Sequence, residues 1–179
     1  MNVKIVNSEI IYQGKVFIIR QDHVEFTPGK IMKVDIVQHR GAVVILPLDK
    51  QNNIWFVRQY RHPIGQELLE LPAGTLNKGE DPLECAKREI REETGMSAES
   101  MIPIGEFYEA PGYSTENLFV FLASGLNHAP LPPDEDEMIE IVKIPLEQAY
   151  QFAKKGQIQD AKTLAALFLA ESRLFSNQD

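Results

Sequence analysis

Glu89, Glu92 and Glu93 lie within five residues of one another in the run GTLNKGEDPLECAKREIREETGM, Gly74 to Met96. On a helix turning about 100° per residue they project together from one side. Carboxylates three and four apart repel by a few tenths of a kcal/mol per pair, so something has to compensate them. A hard divalent cation does so, since Mg²⁺ takes carboxylate oxygens and fills its other positions with waters and phosphate oxygens. The plainer alternative is a solvated acidic face, partly neutralised by Arg88 and Arg91.

The segment carries its own helix signals. Asp81 is a good N-cap, Pro82 suits the first helical position, Glu84 can close a capping box with Asp81, and Gly95 ends helices. Leu83, Ala86 and Ile90 then form a stripe facing a core, beside the three glutamates.

Read from Gly74, the same residues resemble the Nudix box, G-x₅-E-x₇-R-E-U-x-E-E-x-G-U with U a bulky aliphatic. Gly74, Glu80, Arg88, Glu89, Ile90, Glu92, Glu93 and Gly95 fill its positions, and Met96 stands at the last. So many fixed positions at fixed spacing make this a specific motif. The resemblance implies a loop–helix–loop in which Glu89, Glu92 and Glu93 are metal ligands, joined by the backbone carbonyl of Ala73. It also implies that Glu80 and Arg88 brace the loop and that Gly74 permits a tight turn.

The whole chain has 179 residues, 44% of them hydrophobic, and a formal net charge of −8. That length favours one main domain with a small appendage. The acidic balance, with no run rich in lysine and arginine, argues against a nucleic-acid binder. It would also repel an anionic substrate unless a metal and local arginines reverse the field. Cys85 is the single cysteine, which excludes an intrachain disulfide and a cysteine zinc site. With no signal-like leader and no apolar run of membrane-spanning length, the expectation is a soluble cytoplasmic protein without a membrane or nucleic-acid partner.

Residues 1–38 read as strands (VKIV, KVFIIRQDHVEF, IMKVDIVQ) of a small antiparallel sheet, and residues 39–179 as the catalytic domain. AVVILPL is a buried strand, Asp49 to Asn53 a polar turn, and IWFVRQY its partner. Beyond the box come strands IPIGEFYEA and NLFVFLASG, a surface loop Asn127 to Glu137, strand MIEIVKIP, and helices Leu146 to Lys155 and Ala161 to about Phe175. The pattern is α/β. The Nudix resemblance sharpens it to an α/β/α sandwich with a mixed sheet, preceded by the small antiparallel sheet.

RQYRHPIGQELLELPAG, Pro111 placed sixteen residues after Gly95, DEDEMIEI and DAKTLAAL resemble segments of the ADP-ribose pyrophosphatase group. The implied reaction is Mg²⁺-dependent hydrolysis of ADP-ribose to AMP and ribose 5-phosphate, with Mn²⁺ as a substitute ion. Arg58 and Arg61, three apart near a strand end, offer guanidinium forks for a diphosphate, or else surface charge. Glu70, just ahead of the box, helps hold metal or substrate, or braces the loop. The same resemblance implies that the catalytic carboxylates are Glu92 and a general base from the late acidic loop, where Glu137, adjoining MIEIV, is favoured over Glu135, and where either could instead be a solvated loop charge. In relatives the N-terminal sheet supplies the adenine slot across a homodimer, with Phe17, Phe26 and Val34 the candidates here against a plain packing role. His23, His39, His62 and His128 show no metal-ligand spacing, and Cys85 reads as a small packing residue. Two rivals remain: hydrolysis of another nucleoside diphosphate sugar such as GDP-mannose, and a sensor that binds ADP-ribose without cleaving it.

Overall fold

An apolar run without alternation needs cover on both faces, and AVVILPL receives it. The computed structural model describes residues 3–27, 29–133 and 138–175. Its strands are β1 (Lys4–Gln13), β2 (Phe17–Thr27), β3 (Lys30–His39), β4 (Ala42–Leu48), β5 (Asn53–Arg61), β6 (Gln66–Glu70), β7 (Ala73–Thr75), β8 (Met96–Tyr108), β9 (Asn117–His128) and β10 (Ile139–Pro145). The helices are α1 (Pro82–Thr94), α2 (Leu146–Lys154) and α3 (Ala161–Phe175), with a 3-10 turn over His62–Ile64. No helix among the described residues is long and apolar enough to cross a membrane.

The chain forms two compact units. The larger, Ala42–Phe107 with Leu118–Asp179, contains a mixed sheet ordered β10-β5-β4-β9-β8, with β6 added on β5 and β7 on β4. Strand β4 runs parallel to β9 and antiparallel to β7. Its side chains alternate between two cores. Val43 and Ile45 pack with Cys85, Ala86 and Ile90 of α1, whereas Ala42, Val44 and Leu46 pack with Ala149, Tyr150, Ala166, Leu167 and Ala170 of α2 and α3. Burial of each large aliphatic side chain contributes about 1.5–3 kcal/mol, so this one strand fastens the three layers together.

The sheet divides beside β4, and that division builds the site. Asp49 accepts hydrogen bonds from the backbone N–H groups of Gln51 and Asn53 and from Trp55 Nε1, closing the β4–β5 turn. After the pair Leu48–Ile54, β5 turns away from β4 toward β10 and β6. Strand β7 fills the vacated edge: Ala73 and Gly74 lie opposite Val44 and Val43, and Ile45 N–H donates to Pro72 O at 2.8 Å. The entry to the acidic helix is therefore sheet, where the sequence indicated only a connecting segment.

The smaller unit, Met1–Gly41 with Tyr108–Asn117, is the antiparallel sheet β1-β2-β3. Strand β1 runs well past VKIV to Gln13, because register shifts at Ile5/Asn7 and Ile10/Tyr12 break the alternation that would announce it. The segment after Pro111 attaches to β3: Val37 N–H donates to Tyr113 O at 2.8 Å, and Thr115 N–H donates to Val37 O at 3.0 Å. Arg20, Asp22 and Val24 share a sheet face with their register partners Ile10, Ser8 and Ile5 on β1 and Ile36, Val34 and Met32 on β3. Ile5, Ile10 and Met32 of that face are about half exposed, at 57%, 63% and 48%. Phe17 and Phe26 lie near the two ends of β2, each 39% exposed.

Candidate active site

Helix α1 starts where its sequence says it should. Asp81 accepts from Leu83 N–H at 2.9 Å and Glu84 N–H at 3.3 Å, and Pro82 follows as the first helical residue. Glu84 turns its own carboxylate to Lys87 Nζ, 2.7 Å away. Gly95 ends the helix at φ 70°, a left-handed position open to glycine at no steric cost. Cys85, Ala86 and Ile90 are fully covered, while Leu83 is half-buried at the margin of the same core.

Arg88 organises the acidic face. Its Nε and Nη2 meet the two oxygens of Glu80 at 3.0 and 3.1 Å, and its Nη1 is shared between Glu89 Oε1 and Glu92 Oε2, both at 2.7 Å. The fork fits a planar guanidinium and no other side chain. Hydrogen bonds from Arg88 hold the Glu80 carboxyl down at about 2, against the opposing effect of burial. Those same bonds raise Arg88 well above its ordinary value. Glu80 Oε2 also accepts from Asn77 N–H at 2.7 Å, which closes the loop between β7 and α1.

The deeper carboxylates reach β7. Glu89 and Glu93 are only 7% and 6% exposed, and Glu93 Oε2 accepts from Ala73 N–H at 3.1 Å. A Cβ on Gly74 would fall 1.8 Å from Glu89 Cδ. Gly74 lies in a strand, outside the positive-φ glycines, so the tight-turn role expected of it is replaced by another: it leaves room for the Glu89 carboxylate. Cys85 packs beneath, and burial pushes its thiol up to about 12, which keeps it protonated and inert.

A second charged group lies at the end of β5. Arg61 Nε and Nη2 grip the two oxygens of Glu70 at 2.7 and 2.6 Å. Glu70 is 1% exposed and is also paired with Lys162 Nζ, which reaches Asp160 Oδ1 at 2.8 Å. Burial alone would raise the Glu70 carboxyl, but the Arg61 hydrogen bonds and the Lys162 charge overcome it and leave the group below its usual range. Asp160 caps α3 by accepting from Thr163 N–H at 3.0 Å, and Thr163 Oγ1 accepts from Leu71 N–H at 2.8 Å. Hydrogen bonds to Glu70 raise the pKa of Arg61 against the effect of burial, and the charges of Asp160 and Glu93 add to the rise. Arg58 instead points to Glu140 across β10, 3.2 Å away on an exposed surface. Glu135 and Glu137 lie outside the described residues.

Sequence reasoning missed Asp160, Lys162 and Thr163 as partners of the site. The available signal was the capping pattern D-A-K-T at the head of the last helix, which sets a lysine beside a helix N-terminus.

The donor set suits a hard divalent cation. Glu89, Glu92 and Glu93 bring three carboxylates to a partly buried helix face, where Arg88 reaches Glu89 and Glu92 and Ala73 N–H reaches Glu93. Buried charge of one sign requires a counter-charge. No three acidic, histidine or cysteine side chains among the described residues form a ready-made cage, so the fit lies in donor chemistry and charge.

A three-layer sandwich with a glutamate-rich loop–helix defines a class of hydrolases, and the comparisons agree. A solved structure titled "Crystal structure of ADP compounds hydrolase" shares the fold, with a TM-score of 0.87, 24% identity, and coverage of 99% of this chain and 97% of that one. The NUDIX domain model matches residues 38–167. The chain belongs to the Nudix family and is a Nudix hydrolase. It is 39% identical to the ADP-ribose pyrophosphatase of Bacillus subtilis (strain 168) over 92% of this chain and 90% of the relative. It is also 39% identical to the methanol dehydrogenase activator of Bacillus methanolicus, with the same two coverages. The GDP-mannose pyrophosphatase of Yersinia pestis (strain Pestoides F) is 31% identical over 75% of this chain and 72% of that protein.

Proposed function

We propose that the enzyme hydrolyses the diphosphate bond of ADP-ribose, giving AMP and ribose 5-phosphate, with Mg²⁺ as the working ion and Mn²⁺ as a substitute. The observation that carries this reading is the intact acidic face beside Arg61: three glutamates for the metal, and an arginine at the strand end for the diphosphate. The metal supplies charge neutralisation at the phosphate oxygens and a water of lowered pKa. Glu89, Glu92, Glu93 and the carbonyl of Ala73 hold it. Arg61 orients the diphosphate, Glu70 fixes Arg61, and Glu137 or Glu135 accepts the proton of the attacking water, while Arg58, turned to Glu140, would have to leave that partner to join Arg61.

The choice of ADP-ribose is supported by the pyrophosphatase from Bacillus subtilis, which matches at higher identity and over more of the chain than the GDP-mannose enzyme. The equal similarity to a methanol dehydrogenase activator favours a second reading, in which the chain also acts on a dehydrogenase. The unbroken carboxylate set weighs against a sensor that binds without cleaving.

The reading includes a cytoplasmic homodimer without a nucleic-acid partner, in which residues 1–38 supply dimer contacts and the adenine slot. The half-exposed Ile5, Ile10 and Met32 on one sheet face support that assembly. Ile10→Asp should then yield monomers by light scattering, and an unchanged dimer would contradict it.

The test of function is hydrolysis of ADP-ribose, GDP-mannose and ADP-glucose at equal concentration with Mg²⁺, with products resolved by chromatography. A clear preference in kcat/KM for ADP-ribose is expected. Comparable rates would make the enzyme a generalist for the diphosphate. No turnover on any of the three would overturn the reading.

A further inference from the structure

Glu70 is a buried carboxylate with two cationic partners, and the two do different work. Arg61 spends Nε and Nη2 on it, and its side chain remains 39% exposed. Lys162 is 13% exposed and divides its ammonium between Glu70 and Asp160. The four groups together sum to zero: Arg61 and Lys162 positive, Glu70 and Asp160 negative. Without Lys162 the sum is −1, and that charge would lie directly behind the guanidinium that has to attract an anion. Lys162 is itself placed by α3, whose cap Asp160 and third residue Thr163 hold the helix end against Leu71, the residue following Glu70.

We propose that Lys162 is a positioning residue for the diphosphate: by neutralising Glu70 it leaves the charge of Arg61 available to the substrate, acting from the last helix without touching the substrate itself. The proposal rests on the reading of Arg61 as a diphosphate-binding residue. Its consequence is a split between binding and turnover. One uncompensated charge close to a diphosphate in a partly desolvated site is worth about tenfold in affinity, whereas the carboxylates of α1 that govern the chemical step keep their own partners.

The probe is the non-hydrolysable α,β-methylene analogue of ADP-ribose with Mg²⁺, titrated by calorimetry, alongside steady-state kinetics and thermal midpoints. Lys162→Met is expected to raise both Kd for the analogue and KM about tenfold, with kcat within about twofold. Lys162→Arg should restore both, since it returns the charge. The decisive variant pairs Lys162→Met with Glu70→Gln, which brings the local sum back to zero and leaves Asp160, still held by Thr163 N–H and Oγ1, as the one buried carboxylate of the group; Glu70→Gln alone is the control for the part Glu70 plays in fixing Arg61. Recovery of most of the analogue affinity in the double variant supports the proposal. A double variant that binds as poorly as Lys162→Met, while Glu70→Gln alone binds at least as tightly as the wild type, overturns it in favour of a merely structural lysine. So does wild-type affinity in Lys162→Met when Arg61→Met has lost it. Wild-type affinity in Arg61→Met would instead remove the reading of Arg61, and the proposal with it.

Discussion

Replacing Gly74 by alanine adds one methyl group where the structure has no room for it. The new Cβ would stand 1.8 Å from Glu89 Cδ and 1.9 and 2.3 Å from its two oxygens. Carbon atoms in ordinary contact are about 3.5 Å apart, so the carboxylate has to withdraw by roughly 1.7 Å. The obstacle is the far end of a flexible side chain, and Gly74 does not depend on a left-handed backbone. Folding should therefore suffer little, about 1 kcal/mol or less once the 2.7 Å bond to Arg88 has readjusted. Catalysis should suffer far more. Metal–ligand distances tolerate only about 0.2 Å, and a misplacement of about 1 Å at a reacting centre costs roughly a hundredfold. Turnover measured across a Mg²⁺ titration, with thermal unfolding alongside, should show kcat/KM reduced at least a hundredfold in a protein that still melts within a few degrees of the wild type. Activity within threefold of wild type would refute the placement of the Glu89 carboxylate at the working metal. A loss of activity that simply tracks unfolding would refute the claim that Gly74 serves the carboxylate.

Glu93→Gln keeps the size of the side chain and its acceptor for Ala73 N–H but removes a negative ligand, so turnover at saturating Mg²⁺ should fall by at least about a hundredfold; near-wild-type rates would remove Glu93 from the ligand set. Glu135→Gln and Glu137→Gln, made singly, should differ by tenfold or more in kcat if one of them is the base, with Glu137 the more damaging; equal mild effects would put the base elsewhere. Acid should loosen the loop ahead of α1. The folded Glu80 titrates at about 2 against 4.5 for the free group, so its stabilisation is complete above pH 4.5 and is lost as the pH falls toward 2. Urea unfolding between pH 5 and 2 should show that decline in the wild type and a shallower one in Glu80→Gln.

What could be read from the sequence was local. The capping residues Asp81 and Pro82 and the terminating Gly95 lie on the helix they delimit, and the glutamates lie on its turns, so α1 and its acidic face were visible without any tertiary information. The two-sided burial of β4 was likewise written in its unbroken apolar run. Strands β6 and β7 were not visible, because five and three residues carry too little periodicity and exist only by pairing with β5 and β4. Strand β8 begins at Met96, immediately after the helix-ending glycine, through a polar stretch that gives no strand signal. Within the site, Arg61 could be singled out, but its partner Glu70 and the lysine behind that partner could not be joined to it. A pairing between residues 92 apart leaves no pattern in a single chain. The role of Gly74 escaped for the same reason, since it is set by a side chain fifteen positions later and not by the backbone of the glycine itself.

The bond from Leu71 N–H to Thr163 Oγ1 also spans 92 residues. On a ribosome adding about 5–20 residues per second, Thr163 follows Leu71 by roughly 5–18 s. During that interval the acidic helix can form from its own signals, while the segment that delivers Glu70 and Ala73, from the end of β6 to the start of β7, still lacks its support from α3. The nascent chain thus carries its carboxylates early and completes their setting late. A chain cut short before Thr163 would keep every box residue and still lack the finished site.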